Sequence, residues 1–142
     1  MKSLKELLES RPIIHVNSGA KIKEVVDYMS EKNVGLVPVL DSDNKLLGVF
    51  SERDLMRRVI SKGKDLHTTT IDDVMTRSLI LAGVNESYEE CLKKMKEKGT
   101  RHILVIENDK LLGILSVRDL LELDIITKQE TIEVLHNYIY ST

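Results

Sequence analysis

The residues best suited to chemistry are Ser51, Arg53 and Asp54 in Ser51-Glu52-Arg53-Asp54, and Ser116, Arg118 and Asp119 in Ser116-Val117-Arg118-Asp119. A serine three residues ahead of an aspartate, following an apolar strand pattern, marks a helix start. There the hydroxyl accepts from a backbone N–H that the first turn leaves free, and the carboxylate offsets the positive end of the helix. The same geometry can serve a ligand. A helix N-terminus beside a hydroxyl suits phosphate. A carboxylate one turn in can accept from both hydroxyls of a ribose, and Arg53 and Arg118 add charges that could pair with phosphate. A cap needs no arginine, so its presence in both tetrads argues for the ligand. Gly48 and Gly113, three residues ahead of each serine, let strand backbone come close to a neighbour.

These tetrads belong to a repeat. Leu46-Leu47-Gly48-Val49-Phe50-Ser51-Glu52-Arg53-Asp54-Leu55 returns as Leu111-Leu112-Gly113-Ile114-Leu115-Ser116-Val117-Arg118-Asp119-Leu120, with seven of the ten positions identical. Around them the halves align throughout. Ser10–Ile14 faces Thr76–Ile80, each read as a turn entering a short strand. Ile22, Val25, Val26 and Met29 share helical spacing with Tyr88, Cys91, Leu92 and Met95. The second of these helices opens on the capping box Ser87-Tyr88-Glu89-Glu90, whereas the first has Lys21 in the cap position. Leu36–Leu40 is answered by His102–Ile106, and a polar turn leads each half into its glycine-bearing strand. Each half reads strand, helix, strand, turn, strand, helix. Continuous apolar strands imply burial on both faces, and a unit of about 60 residues is marginal alone.

The reading divides the chain into repeat 1 with a leading helix over 1–62, a linker over 63–69, repeat 2 over 70–126 and a C-terminal helix over 127–142. Ser3 caps the leading helix and Thr70 a matching one before repeat 2. Thr127 opens the last helix, which carries Ile132, Leu135 and Ile139 on one stripe with Val134 and Tyr138 adjoining. That helix either packs on the repeats or joins two chains.

Composition narrows the function. The chain has 142 residues, 21 basic and 23 acidic, for a formal net charge of −2; this gives no pull toward nucleic acid. Aromatics at 4% with no Trp argue against stacking platforms for single strands. His15, His67, His102 and His136 are scattered without a second ligand at metal spacing, so no metal is expected. The lone Cys91 reads as a buried apolar residue. No apolar run approaches the ~20 residues of a membrane span, and the start lacks a signal peptide's apolar stretch. A cytoplasmic setting is the expectation.

The doubled Gly-h-h-Ser-x-x-Asp pattern, the Val37-Pro38-Val39 strand and the Thr100-Arg101-His102 lead-in resemble a tandem pair of CBS (cystathionine-β-synthase-type) domains, from about Arg11 to about Glu122. The resemblance implies an α/β fold of two β-α-β-β-α repeats packed through their sheets around two clefts. It implies a ligand sensor rather than a catalyst, binding AMP, ADP, ATP, S-adenosylmethionine or NAD, and commonly a homodimer. Carried over by position, Asp54 and Asp119 would hold ribose hydroxyls, and Ser51 and Ser116 would touch ribose or phosphate. Arg11, Ile13 and Ile14, with Arg77, Ser78 and Ile80, would run along the adenine. Val37, Pro38, Ile103 and Leu104 would give the base apolar contact, and Arg101 and His102 would offer charge to phosphate. Gly35 and Leu36 stand where the second half has Arg101 and His102, and Leu104 stands where a proline is usual. Two unequal sites follow from that difference.

The function expected is a regulatory module that binds an adenine nucleotide in the cleft between repeats, needs no cofactor, and passes a conformational shift to a separate effector protein. The rival reading is a ligand-independent dimeric interaction scaffold working through the C-terminal helix. A nucleotide-processing enzyme is the third reading, and it lacks a visible base or nucleophile.

Overall fold

The computed structural model describes residues 3–140. Residues 1–2 and 141–142, which the sequence reading assigns to repeat 1 and to the C-terminal helix, lie outside the described residues. The chain forms α1 (Leu4–Leu8), β1 (Val16–Asn17), α2 (Ile22–Lys32), β2 (Leu36–Leu40), β3 (Leu46–Ser51) and α3 (Glu52–Asp54), which continues as a π-helical segment Leu55–Ile60. Then come α4 (Ile71–Val74), β4 (Leu81–Gly83), α5 (Tyr88–Lys98), β5 (His102–Glu107), β6 (Lys110–Ser116) and α6 (Val117–Tyr140). The sheets are three-stranded, ordered β1-β2-β3 and β4-β5-β6. In each a parallel pair, β1 with β2 and β4 with β5, comes from the strand–helix–strand crossover. The α/β repeat architecture expected from the sequence is therefore present.

The compact units do not follow chain order. One, here called the Asp54 unit, holds Pro12–Leu79 and Asn108–Leu111. The other, the Asp119 unit, holds the described residues up to Arg11, Ile80–Glu107, and those from Leu112 onward. The sequence places α1 with repeat 1 because it precedes it. Its apolar side chains pack in the Asp119 unit: Leu4 and Leu8, four residues apart on one helical face, bury among Leu115, Leu120 and Leu123.

In the Asp54 unit, β2 and β3 are antiparallel with Val39 opposite Gly48 and Val37 opposite Phe50. Their inward side chains meet Ile22, Val25 and Met29 of α2 in one cluster with Val59, Ile71 and Val74. The helix α2 has no side-chain cap at Lys21 and stops at Asn33, whose left-handed backbone (φ 56°) turns its N–H back onto Met29 and Ser30. Thr70 does not cap α4; its hydroxyl donates to Asp73 instead.

In the Asp119 unit, Ser87 caps α5 by accepting from the Glu90 N–H, and Gly99 (φ 66°) ends it with the same turn that Asn33 makes. Ile103, Val105 and Leu115 of the strands pack with Cys91, Met95 and Ala82. Cys91 is wholly buried, and burial pushes its thiol up to about 11. A thiol reagent such as 5,5′-dithiobis(2-nitrobenzoate) is thus expected to leave the native protein unlabelled at pH 8 and to label one thiol after denaturation.

Two expectations shift. The lead-in segments do not pair as strands at Pro12–Ile14 or Ser78–Ile80. Ladder pairing begins later, with Val16 beside Val39 and Leu81 beside Leu104. Also, the helix that opens after Ser116 does not stop near residue 126. It runs unbroken to Tyr140, because no Gly or Pro interrupts it. Thr127 sits inside it with its carbonyl accepting from the Thr131 hydroxyl.

Candidate functional site

Both Ser-x-x-Asp tetrads fold as reciprocal caps. The Ser51 N–H donates to Asp54 Oδ2 at 3.0 Å, and the Asp54 N–H donates to Ser51 Oγ at 3.2 Å. The Ser116 N–H donates to Asp119 Oδ2 at 2.9 Å, and the Asp119 N–H donates to Ser116 Oγ at 3.1 Å. Each box uses one carboxylate oxygen and leaves the second to other partners, and those partners differ.

Asp54 is the one buried charged residue among the described residues. Its Oδ1 accepts from the Thr76 hydroxyl at 3.0 Å and lies 3.5 Å from Arg58 Nε. Thr76 is pinned beside β3 by two backbone bonds with Val49, at 2.8 and 2.9 Å. Gly48 makes that approach possible, since a Cβ there would meet the Thr76 carbonyl at 2.7 Å. Arg58 also donates to the Met75 carbonyl at 3.0 Å. The π-helical segment carries Arg58, four residues after Asp54, and such widened turns recur at functional sites.

Asp119 meets a guanidinium. Arg11 Nη1 donates to Oδ2 at 3.0 Å and Nη2 to Oδ1 at 2.9 Å, a parallel two-pronged pair. Burial opposes charge on Asp119, but the bonds from Arg11 and from the Ser116 backbone outweigh it and hold the carboxyl below the usual aspartate range. The same contact raises Arg11. Beside them, burial lowers His102, with the Asp119 charge acting against that shift. Imidazole is therefore the neutral form there at pH 7.

The pair carries a pH dependence with a definite sign. A carboxyl depressed in the folded protein contributes stability that is complete above its unfolded pKa and disappears as pH falls through the folded value. Below about pH 4 the wild type is expected to lose more of its Tm than Arg11→Met does, as thermal scans between pH 3 and 7 would record. The Arg11 side chain is 42% exposed, so solvent screening keeps the difference small.

The remaining sequence-derived residues are placed as follows. Val37 and Ile103 are wholly buried in their cores, and Pro38 and Leu104 are buried beside them. The Leu104 N–H donates to the Ile80 carbonyl at 3.1 Å; Pro38, its counterpart, has no N–H to give. Ile13 and Ser78 are exposed, and Ile14 packs on the Asp54-unit core. Arg101 is exposed, its carbonyl accepting from Val117, as Gly35 accepts from Glu52. Three further arginines of the expected set lie as follows. Arg118 points outward to Glu122, 3.5 Å away and 89% exposed. Arg77 turns back to donate to the Asp72 carbonyl, and Arg53 is exposed at the surface. An arginine one residue before the aspartate leaves the helix about 100° away from it.

Sequence reasoning missed Thr76 and Arg58. Arg58 carried a signal, since i and i+4 share a helix face. Thr76 and its aligned Ser10 both carry a hydroxyl, but the contact with Asp54 spans 22 residues, so no local spacing points to it. Within the Asp54 unit an open hollow of about 340 Å³ lies at the end of α2 and the start of α3; Gly35, Glu52 and Leu55 line it, and Asp54 does not.

A family model for the CBS domain matches residues 4–61 and again 71–126. The chain belongs to the CBS domain family. The match covers both tetrads, and the CBS solved structures share the fold. A CBS domain protein from Pyrobaculum aerophilum, solved complexed with AMP, superposes with TM-score 0.74 at 28% identity over 83% of this chain and 89% of that one. An uncharacterized protein of Methanocaldococcus jannaschii is 29% identical over 84% of this chain and 42% of its own length. An arabinose 5-phosphate isomerase of Salmonella typhimurium is 32% identical over 80% of this chain and 34% of its own. The chain thus spans less than half the length of either of these curated relatives. Among the described residues, no helix is long and apolar enough to cross a membrane.

Proposed function

We propose that this CBS pair is a regulatory sensor of an adenine nucleotide, with AMP or ATP the first candidates and ADP, S-adenosylmethionine and NAD behind them. In this reading Asp119 and Asp54 each hold a ribose, no further cofactor is required, and the protein works in the cytoplasm as a homodimer that signals to a separate effector protein. The observation that carries it is the two-pronged Arg11–Asp119 pair. Two parallel donors on one carboxylate are what the 2′ and 3′ hydroxyls of a ribose present. Arg11 holds the diol's place, half exposed, with Arg101 and His102 in the same unit. A nucleotide that takes Asp119 displaces the guanidinium and offers it a phosphate instead. Binding and rearrangement are then one event, and the ligand's preference for the displaced state is what a partner would read. The AMP complex of the Pyrobaculum aerophilum relative supports the ligand class.

The two sites are unequal in this reading. Asp54 is enclosed by Thr76 and Arg58 and has Gly35 and Leu36 where the other half has Arg101 and His102. Asp119 is expected to be the tighter site. Calorimetry of the stripped protein with AMP, ADP, ATP, S-adenosylmethionine and NAD tests this, with adenosine alongside. Arg11→Met should strengthen adenosine, which has the diol without phosphate, and weaken AMP relative to it. No heat from any of the panel at millimolar concentration would remove the proposal.

The scaffold reading keeps one observation of its own, the uncovered apolar face of α6. It predicts that loss of Asp119 lowers stability and changes no ligand response.

A further inference from the structure

The helix α6 has two apolar faces, and its own unit covers one. Leu120 and Leu123 are buried in the core of the Asp119 unit. Leu121, Ile125, Ile132, Leu135 and Ile139 are all exposed, from 47% to 64%. Their spacing, with Lys128 in the remaining place, alternates four and three residues. A stripe of this alternation drifts only about 20° per heptad around a straight helix, which a slight supercoil takes up, so it can serve as a coiled-coil seam. Isoleucine at 125, 132 and 139 and leucine at 121 and 135 give every place of the stripe except 128 a large apolar side chain.

We propose that a second copy of this chain covers the seam, α6 against α6, running antiparallel. This deepens the dimer part of the function proposed above by naming its surface. Lys128 selects the orientation. Parallel helices in register would set Lys128 against Lys128 inside an apolar seam, two like charges with nothing between them. Antiparallel helices set each Lys128 opposite Ile132 of the other copy, Ile125 opposite Leu135, and Leu121 opposite Ile139. Each Lys128 keeps its own Asp124, 3.0 Å away, at the edge of the seam. Opposed helix dipoles favour the same arrangement, and the contact is self-complementary and closed. Ten seam side chains at roughly 60 to 80 Å² of apolar area apiece, with the flanking Tyr138 rings, remove on the order of 1,000 Å² from water. That is the low end for a specific interface, so the dimer should dissociate in the micromolar range.

Analytical ultracentrifugation of the full chain, from about 1 to 100 μM, decides the surface. Leu135→Lys is expected to weaken dimerisation at least about tenfold, whereas Val134→Lys, off the seam but equally exposed, leaves it unchanged. Lys128→Leu is expected to tighten it. All three positions lie on the exposed side of α6, and circular dichroism confirms folding. Orientation is read by oxidation. Ile125→Cys mixed with Leu135→Cys should yield a mixed disulfide dimer, while Leu135→Cys alone should not, its two sulfurs lying about 15 Å apart. A dimer indifferent to Leu135→Lys, or weakened equally by Val134→Lys, overturns this surface and leaves the dimer reading standing. A chain monomeric at 100 μM overturns both. Ready oxidation of Leu135→Cys alone overturns the antiparallel pairing.

Discussion

Asp119→Asn is expected to weaken adenine-nucleotide binding at the tighter site by roughly 30- to 150-fold. The substitution keeps shape, and its amide oxygen can still accept from the Ser116 N–H, so the start of α6 survives. The charge is lost, and one of the two acceptors facing Arg11 becomes a donor. Hydrogen bonds to an ionised group are worth about 1.5 to 3 kcal/mol each. A ribose bound through two of them would lose about 2 to 3 kcal/mol, which is the stated factor. Asp54→Asn should leave that site's affinity within about threefold, because the two carboxylates belong to different units and have no partner in common. Its own cost falls on the weaker site and on stability. Asp54 is buried and Thr76 and Arg58 converge on its Oδ1, so a neutral amide there leaves a donor facing donors. Calorimetry with AMP and ATP, paired with thermal unfolding, separates the two outcomes. Equal weakening by both variants would refute the inequality of the sites.

Gly48→Ala is expected to destabilise the protein by about 1 to 3 kcal/mol through a backbone clash, and Gly113→Ala by a similar amount through backbone strain, its φ being 159°. The two glycines occupy the same place in the repeat but are required for different reasons. At Gly48 the new Cβ would stand 2.7 Å from the Thr76 carbonyl, which is backbone and is already bonded to the Val49 N–H. Relief requires Thr76 to move away from β3, and its hydroxyl then leaves Asp54. At Gly113 the nearest atom is a terminal carbon of Leu8, 2.8 Å away, which a small side-chain rotation can clear. Urea denaturation of the two variants measures both costs. A cost for Gly48→Ala below about 1 kcal/mol would mean that segment 75–76 is not held against β3 as described. Faster amide hydrogen exchange at Val49 and Thr76 in Gly48→Ala would tie the stability loss to the site.

Much of this was legible in the residues. The ten-residue match at Leu46 and Leu111 implied two like units, and the periods of the apolar residues gave each unit's strands and main helix. Ser51 and Ser116 cap as their spacing from Asp54 and Asp119 requires, because a cap is a local contact closed within four residues. Cys91 is buried for the same reason its neighbours Met95 and Tyr88 are: all lie on one helix face. What failed was of another kind. Thr127 looked like a cap and is mid-helix, since a threonine's preference of a few tenths of a kcal/mol cannot stop a helix that nothing else interrupts.

The sequence alone therefore determined the repeat, most of its elements, the family and the two helix-capping carboxylates. Only tertiary structure decided their partners. Arg11 and Arg77 stand in matching places, yet one clasps Asp119 and the other bonds the Asp72 carbonyl. Arg11 and Asp119 are 108 residues apart, and Thr76 and Asp54 are 22 apart. Periodicity registers which face of an element a residue occupies, within a window of a few turns. Which distant segment comes to lie against that face depends on how α1 and the segment after α4 bury their apolar side chains, and that is a property of the packed chain.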